Sequence, residues 1–305
     1  MKGLELARRY YEECAKPLLE QQFPDVLNRI AVGLVGEGSE CLGFDDAISQ
    51  DHDFEPGFCL FITAEDEREF GFRLERLYAK LPKTFNGFTR SPLSPVGGNR
   101  HGVQVIDEFY TKFLGTPRIP DTPDWWFHIP PALLRTASNG EVWRDDSGVF
   151  SAVRNTLLNG YPNDVRLKKI AAHALLMAQA GSHNTARCIA RGEWGAAQRC
   201  LMEYLRHAIS LVYLLNNVYE PFYKWAYQGL RELPLLSELE RPLSELLTHP
   251  DPLVAIAELD ACFANEFRSQ GLSDLKDDCL SSQAYAITDT IRDGNIRNMH
   301  IMDGI

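Results

Sequence analysis

Ile30-Ala31-Val32-Gly33-Leu34-Val35-Gly36-Glu37-Gly38-Ser39 opens the stretch on which the fold turns. Asp51-His52-Asp53 and Phe58-Cys59-Leu60-Phe61-Ile62 close it. The two apolar runs are short and bounded by Gly, Pro and Asp, as buried strands are. Gly38 lets a backbone approach a ligand with no Cβ in the way. Ser39 offers a hydroxyl and, where it opens a helix, N–H groups suited to a phosphate. Asp51 and Asp53 stand at i and i+2, so on an extended backbone both carboxylates leave one face and His52 leaves the other. Such paired hard oxygens hold Mg²⁺ together with substrate phosphates. Two such ions would stabilise the attacking and leaving oxygens of an in-line displacement at phosphorus. An Asp-x-Asp alone is most often a solvated loop, so the specificity lies in its union with the Gly-Ser and the flanking strands. Neither GxGxxG nor GxxxxGK[ST] occurs.

Working outward, residues 3–22 place Leu4, Ala7, Tyr11, Cys14 and Leu18 at three- and four-residue steps, which predicts an amphipathic helix. Helical period returns over 64–81. A third strand is expected at His101–Asp107 and a fourth at Glu141–Asp145, with a loop between Pro82 and Gly102 that could cover a site. From Gly148 the text is helical almost throughout, with helices expected near 149–160, 163–181, 183–191, 193–218, 219–230, 235–247, 251–270 and 281–291. Gly160-Tyr161-Pro162, Gly181-Ser182, Arg191-Gly192 and His249-Pro250 punctuate them. The expected class is α+β. A small mixed-sheet α/β domain occupies 1–130, to which a strand near 141–145 returns, and a helical domain occupies 131–305.

The chain has 305 residues, 45% of them hydrophobic, which suffices for two cores. A net charge of −11 disfavours a protein that grips nucleic acid through a broad basic face. It mildly favours cationic or neutral partners and metal ions. The seven cysteines form no CxxC pair, which argues for a reducing compartment without a disulfide framework or structural zinc. No apolar run approaches the length of a membrane span, and the first residues lack an apolar signal core, so a cytoplasmic protein with no membrane partner is expected. His101, His173, His183 and His207 have no partner at metal-ligand spacing and default to core or surface roles. Trp125-Trp126-Phe127, set among prolines, is expected to pack the two domains together.

A strand ending in Gly-Ser, then Asp-x-Asp leading into another strand, resembles the DNA polymerase beta-type nucleotidyltransferase superfamily. Gly43-Phe44-Asp45-Asp46, Ser49 and Asp51-His52-Asp53 resemble a branch described as a domain of unknown function, similar in plan to the aminoglycoside nucleotidyltransferases. The resemblance implies a catalytic α/β domain, a helical domain and a site in the cleft between them. It implies that Asp51 and Asp53 are catalytic and hold two Mg²⁺ ions, and that Gly38, Ser39 and Ser49 contact ATP or another NTP. Lys224, in Tyr219-Glu220-Pro221-Phe222-Tyr223-Lys224-Trp225, matches the helical-domain lysine that reaches nucleotide phosphates. Two departures stand out. The expected third carboxylate falls on Gln104, which cannot act as a base, leaving Asp107 or Glu108 to activate the acceptor. Gln50 takes the place next to Asp51, where relatives carry Ser or Thr, and Ser49 precedes it. The implied activity is Mg²⁺-dependent transfer of a nucleoside monophosphate, AMP from ATP foremost, to a hydroxyl of a cationic small molecule or a protein. The alternative is a catalytically weakened nucleotide-binding regulatory protein.

Overall fold

The computed structural model describes residues 1–49, 54–90 and 100–305. Asp51, His52 and Asp53, and the 91–99 part of the expected loop, lie outside the described residues. The protein is α+β, with a small mixed sheet and a helical C-terminal part. It divides into two compact units, Met1–Pro120 with Ala132–Asn159, and Asp121–Pro131 with Gly160–Ile305. This differs from a single boundary at residue 130, because the chain passes out of the first unit for eleven residues and returns to complete its sheet.

The first unit begins with α1 (Gly3–Tyr10) and α2 (Lys16–Gln22), joined by a π-helical turn over Tyr11–Ala15. Then come β1 (Ala31–Leu34), the one-turn α3 (Ser39–Leu42) and β2 (Cys59–Ile62). The helical period over 64–81 becomes α4 (Ala64–Asp66) and α5 (Phe72–Lys80), separated by a second π-turn. Within the expected loop, Asn86 and Gly87, both at positive φ, turn the chain between β3 (Thr84–Phe85) and β4 (Phe88–Thr89). That is the turn chemistry of a two-residue hairpin.

The strand expected at His101–Asp107 is shorter. β5 is Gly102–Val105, and α6 (Ile106–Leu114) starts at once, with Asp107 and Glu108 exposed in its first turn. Two acids at a helix N-terminus are favourably placed against the backbone dipole, which ends the strand before them. Beyond α7 (Pro123–His128), which groups with the second unit, α8 (Pro131–Ser138) leads to β6 (Glu141–Arg144) and α9 (Val149–Leu158). The sheet order is β5-β2-β1-β6, with β2 and β6 antiparallel to β1 and β5 parallel to β2.

Alternation along β2 explains the layering. Leu60 and Ile62 enter a core with Tyr10, Leu19, Val32, Phe58 and Leu74. Phe61 leaves the other face, stacks on Phe150 of α9 at 4.0 Å and meets Phe109 of α6 edge-on at 5.1 Å. Both faces of the strand are buried, so its sequence reads as an unbroken apolar run.

The second unit is built on α10 (Asn163–Ala178), which a π-turn over Gln179–Thr185 carries into α11 (Ala186–Ala190). The break expected at Gly181-Ser182 does not occur. A Cβ on Gly181 would stand 2.6 Å from the Tyr204 ring, so this glycine serves close approach within a continuing helix. α12 (Trp194–Leu215) packs on α10, followed by α13 (Ala226–Leu230), α14 (Glu240–Glu245), α15 (Pro252–Ser269), α16 (Leu280–Asp289) and α17 (Gly294–Asn298). The buried Ala171, Ala172, Ala174 and Ala178 give α10 a slim profile against α12 and α16. Among the described residues, no helix is long and apolar enough to cross a membrane, and the seven cysteines are free thiols.

Candidate functional site

β1 delivers the chain to a glycine turn. Gly36 and Gly38 both sit at φ +122°, a conformation that residues with a Cβ rarely adopt, and Ser39 then opens α3. The turn is gripped from the side by Asn139, a buried residue between α8 and β6. Its Oδ1 accepts from Gly36 N at 2.9 Å and its Nδ2 donates to Gly36 O at 2.7 Å. Arg154 of α9 holds this clamp in turn, donating to the carbonyls of Asn139 and Gly140. In the sequence, Asn139-Gly140 reads only as a turn before a strand. The signal was an Asn able to satisfy one N–H and one C=O at once, but nothing in the sequence names its distant partner.

Arg100 is the second residue missed. It donates to Glu37 O at 2.9 Å and forms an ion pair with Glu40 in the first turn of α3. A Cβ on Gly38 would collide with the Arg100 guanidinium and the Glu40 carboxylate. The missing side chain at Gly38 therefore makes room for a cation–carboxylate pair against the turn. Glu37 receives Lys112 of α6 at 2.7 Å, and a Cβ on Gly36 would lie against the Phe109 ring of the same helix. The turn is thus met by one arginine, one lysine and the helix that Asp107 and Glu108 begin.

The other expected residues have distinct settings. Ser39 is half-buried at the start of α3. Ser49 closes a turn with Asp46, whose Oδ1 accepts from Ile48 N, Ser49 N and the Ser49 hydroxyl. Hydrogen bonds from Ser49 hold the Asp46 carboxyl below its usual range. Asp45, 2% exposed, accepts from Gly3 N at 2.8 Å, while Lys2 caps its carbonyl, so the Gly43–Asp46 stretch is tied to the N-terminus of α1. His101 is buried, with Nδ1 3.3 Å from Glu55 Oε1. Gln104 lies on β5 opposite Phe61. Lys224 belongs to the second unit, exposed on a single 3₁₀ turn with its ammonium 5.1 Å from the Trp225 ring centre.

The expected metal ligands Asp51 and Asp53 lie outside the described residues. Among the described residues, no group of three or more His, Cys, Asp or Glu is placed to hold a metal ion. The described carboxylates flanking the turn are engaged elsewhere, Glu37 with Lys112 and Glu40 with Arg100.

The second unit holds an internal polar cluster. His173 and His207 face each other across α10 and α12 with Nδ1···Nδ1 3.0 Å, so one donates and the other accepts. Arg206, exposed, bonds Glu203 and the outer nitrogen of His207. Burial pushes His207 down to about 4 and His173 well below the usual range. The histidine pair is invisible to a search by local spacing because 34 residues separate its members.

Neither a curated protein nor a solved structure matches the chain. A family model described as a domain of unknown function (DUF4037) matches residues 126–226, from α7 to the first residue of α13, and the Gly36–Asp53 stretch lies outside that match.

Proposed function

We propose that the chain is a Mg²⁺-dependent nucleotidyltransferase that moves AMP from ATP, or another nucleoside monophosphate, to a hydroxyl of a small molecule or protein. The observation that supports this most is the glycine turn: β1 ends in Gly36–Gly38, Ser39 follows, and antiparallel β2 takes up the chain after Asp51 and Asp53. In this reading the Ser39 hydroxyl donates to a phosphate oxygen. Arg100 exchanges its Glu40 partner for the phosphate, gaining a charge-assisted bond of the same kind. Asp51 and Asp53 are the residues that would hold Mg²⁺, whose chemistry is charge neutralisation on the phosphates. The acceptor oxygen bonds to the α-phosphorus, the bond to pyrophosphate breaks, and the hydroxyl proton passes to Asp107 or Glu108. Catalysis is then mainly positioning and electrostatics. Lys224 enters through the resemblance alone.

Incubation with labelled ATP, GTP, CTP or UTP, Mg²⁺ and a cell extract tests the reading. Label is expected on a small molecule or a protein and absent with the Asp51→Ala/Asp53→Ala double variant. Equal labelling by that variant would sink the assignment. One feature favours the regulatory alternative: β5 carries Gln104 and no carboxylate. ATP binding with no pyrophosphate release in any extract would decide for it.

A further inference from the structure

The second unit carries a pocket of about 400 Å³ where the start of α10 meets the end of α12 and the Pro234-Leu235 segment. Among the described residues its one charged lining side chain is Arg166, with Tyr161, Asn163, Leu215, Leu235 and Gln270 among the others. The Arg166 side chain makes a single hydrogen bond among the described residues, from Nη1 to Leu214 O at 3.1 Å. Its remaining guanidinium donors have no acceptor among the described residues, and burial pushes its pKa down. A half-buried guanidinium with no acid beside it is free to take an anionic ligand through charge-assisted hydrogen bonds.

The walls are built rather than incidental. The Asn216 amide clamps Leu235 from both sides, donating to its carbonyl and accepting from its N–H, each at 3.0 Å. Asn217 and Leu236 hold left-handed backbone at φ 52° and 59°. A left-handed leucine is strained, and such strain gathers at ligand clamps. Tyr161 adds an aromatic face.

We infer that this pocket binds the carboxylate of a small acid with an apolar or aromatic body, the guanidinium of Arg166 taking the carboxylate. One cation balances a monoanion. A phosphate monoester, mostly dianionic at neutral pH, would keep an uncompensated charge there. Leu215, Leu235 and the Tyr161 ring suit the apolar body, and Asn163 and Gln270 suit polar substituents. The site stands independently of the nucleotidyltransferase reading.

Benzoate is the probe, with benzamide and phenyl phosphate as comparators, titrated into the full chain by calorimetry. Benzoate is expected to bind with Kd on the order of 1 mM, which suits a nine-heavy-atom ligand. Benzamide should bind at least about tenfold more weakly, as should benzoate to Arg166→Gln. Arg166→Lys, which keeps the charge and loses the fork, should fall between. In wild type, benzoate should shift one arginine Nε–H resonance, a readout that stands even where a variant fails to fold. Benzoate binding equal in wild type and Arg166→Gln, no arginine shift, or phenyl phosphate binding more tightly than benzoate would each overturn the assignment.

Discussion

The glycine turn shows how much rests on one amide. Asn139 satisfies both backbone groups of Gly36 and is itself 8% exposed, so no water can replace it without rearrangement. Asn139→Ala removes two hydrogen bonds and strands a buried N–H and C=O, a loss of about 2–3 kcal/mol. Asn139→Asp keeps the acceptor but sets a carboxylate oxygen against Gly36 O, and should cost at least as much. Denaturant unfolding measures both. The two outcomes separate the clamp from simple side-chain volume, because Asp and Asn are nearly isosteric. Loss of nucleotide transfer in Asn139→Ala at temperatures where the variant stays folded would tie the clamp to the proposed activity. Arg100 makes the complementary point: its role depends on an ion pair with Glu40, 60 positions away, that no local pattern encodes.

At the scale of elements, periodicity carried the reading far. β1 and β2 fall on apolar runs because a strand buried on both faces has little choice of composition. The partly buried β5 and β6 are instead marked by the turn residues beside them, and the β3–β4 hairpin falls inside the expected loop. The long helices α10, α12 and α15 follow their 3.6-residue period, whereas the stretch expected as a helix over 219–230 becomes helical only from Tyr223, and α17 has no counterpart among the expected helices. What failed were boundaries set by tertiary contact. Asp107 and Glu108 leave β5 for α6 because acids suit a helix start, and Gly181 continues its helix because Tyr204 needs the space. The second case yields a paired test. Gly181→Ala should cost about 1–3 kcal/mol, since the new methyl meets a fully buried ring. Gly195→Ala, in the first turn of α12 with open space around it, should gain up to about 1 kcal/mol from helix propensity. Thermal unfolding of the two variants should therefore move in opposite directions. A rise in both would mean that propensity, not the Tyr204 contact, governs residue 181, and a fall in both would mean that propensity does not govern residue 195. The candidate site was legible only in part for a related reason. Gly38 and Ser39 announce themselves by spacing, whereas Asn139, Arg100 and the His173–His207 pair act through contacts that only the folded chain creates.

Across the whole molecule, the acidic balance of −11 says little about stability, because individual buried groups dominate the response to pH. Two of them oppose each other. Burial raises Asp260 to about 7, although the Tyr204 hydroxyl donates to it at 2.8 Å, and burial lowers His207 to about 4. Asp260 has a folded value above its unfolded 3.8, so its contribution is fully present below pH 3.8 and is lost as pH rises through 7. His207 has a folded value below its unfolded 6.5, so its contribution is present above pH 6.5 and is lost as pH falls through 4. Between pH 7 and 4 the aspartate stabilises the acid side by about 3–4 kcal/mol and the histidine stabilises the neutral side by about 3 kcal/mol, nearly cancelling. Asp260→Asn keeps an acceptor for Tyr204 and removes one arm of this balance. Relative to wild type, the variant should gain about 3 kcal/mol on going from pH 4 to pH 7, measured by urea unfolding at each pH. The difference between the two curves isolates Asp260, since every other titrating group is common to both. Parallel curves would show that Asp260 ionises in the fold as freely as in the unfolded chain, and that the Tyr204 bond fully offsets its burial.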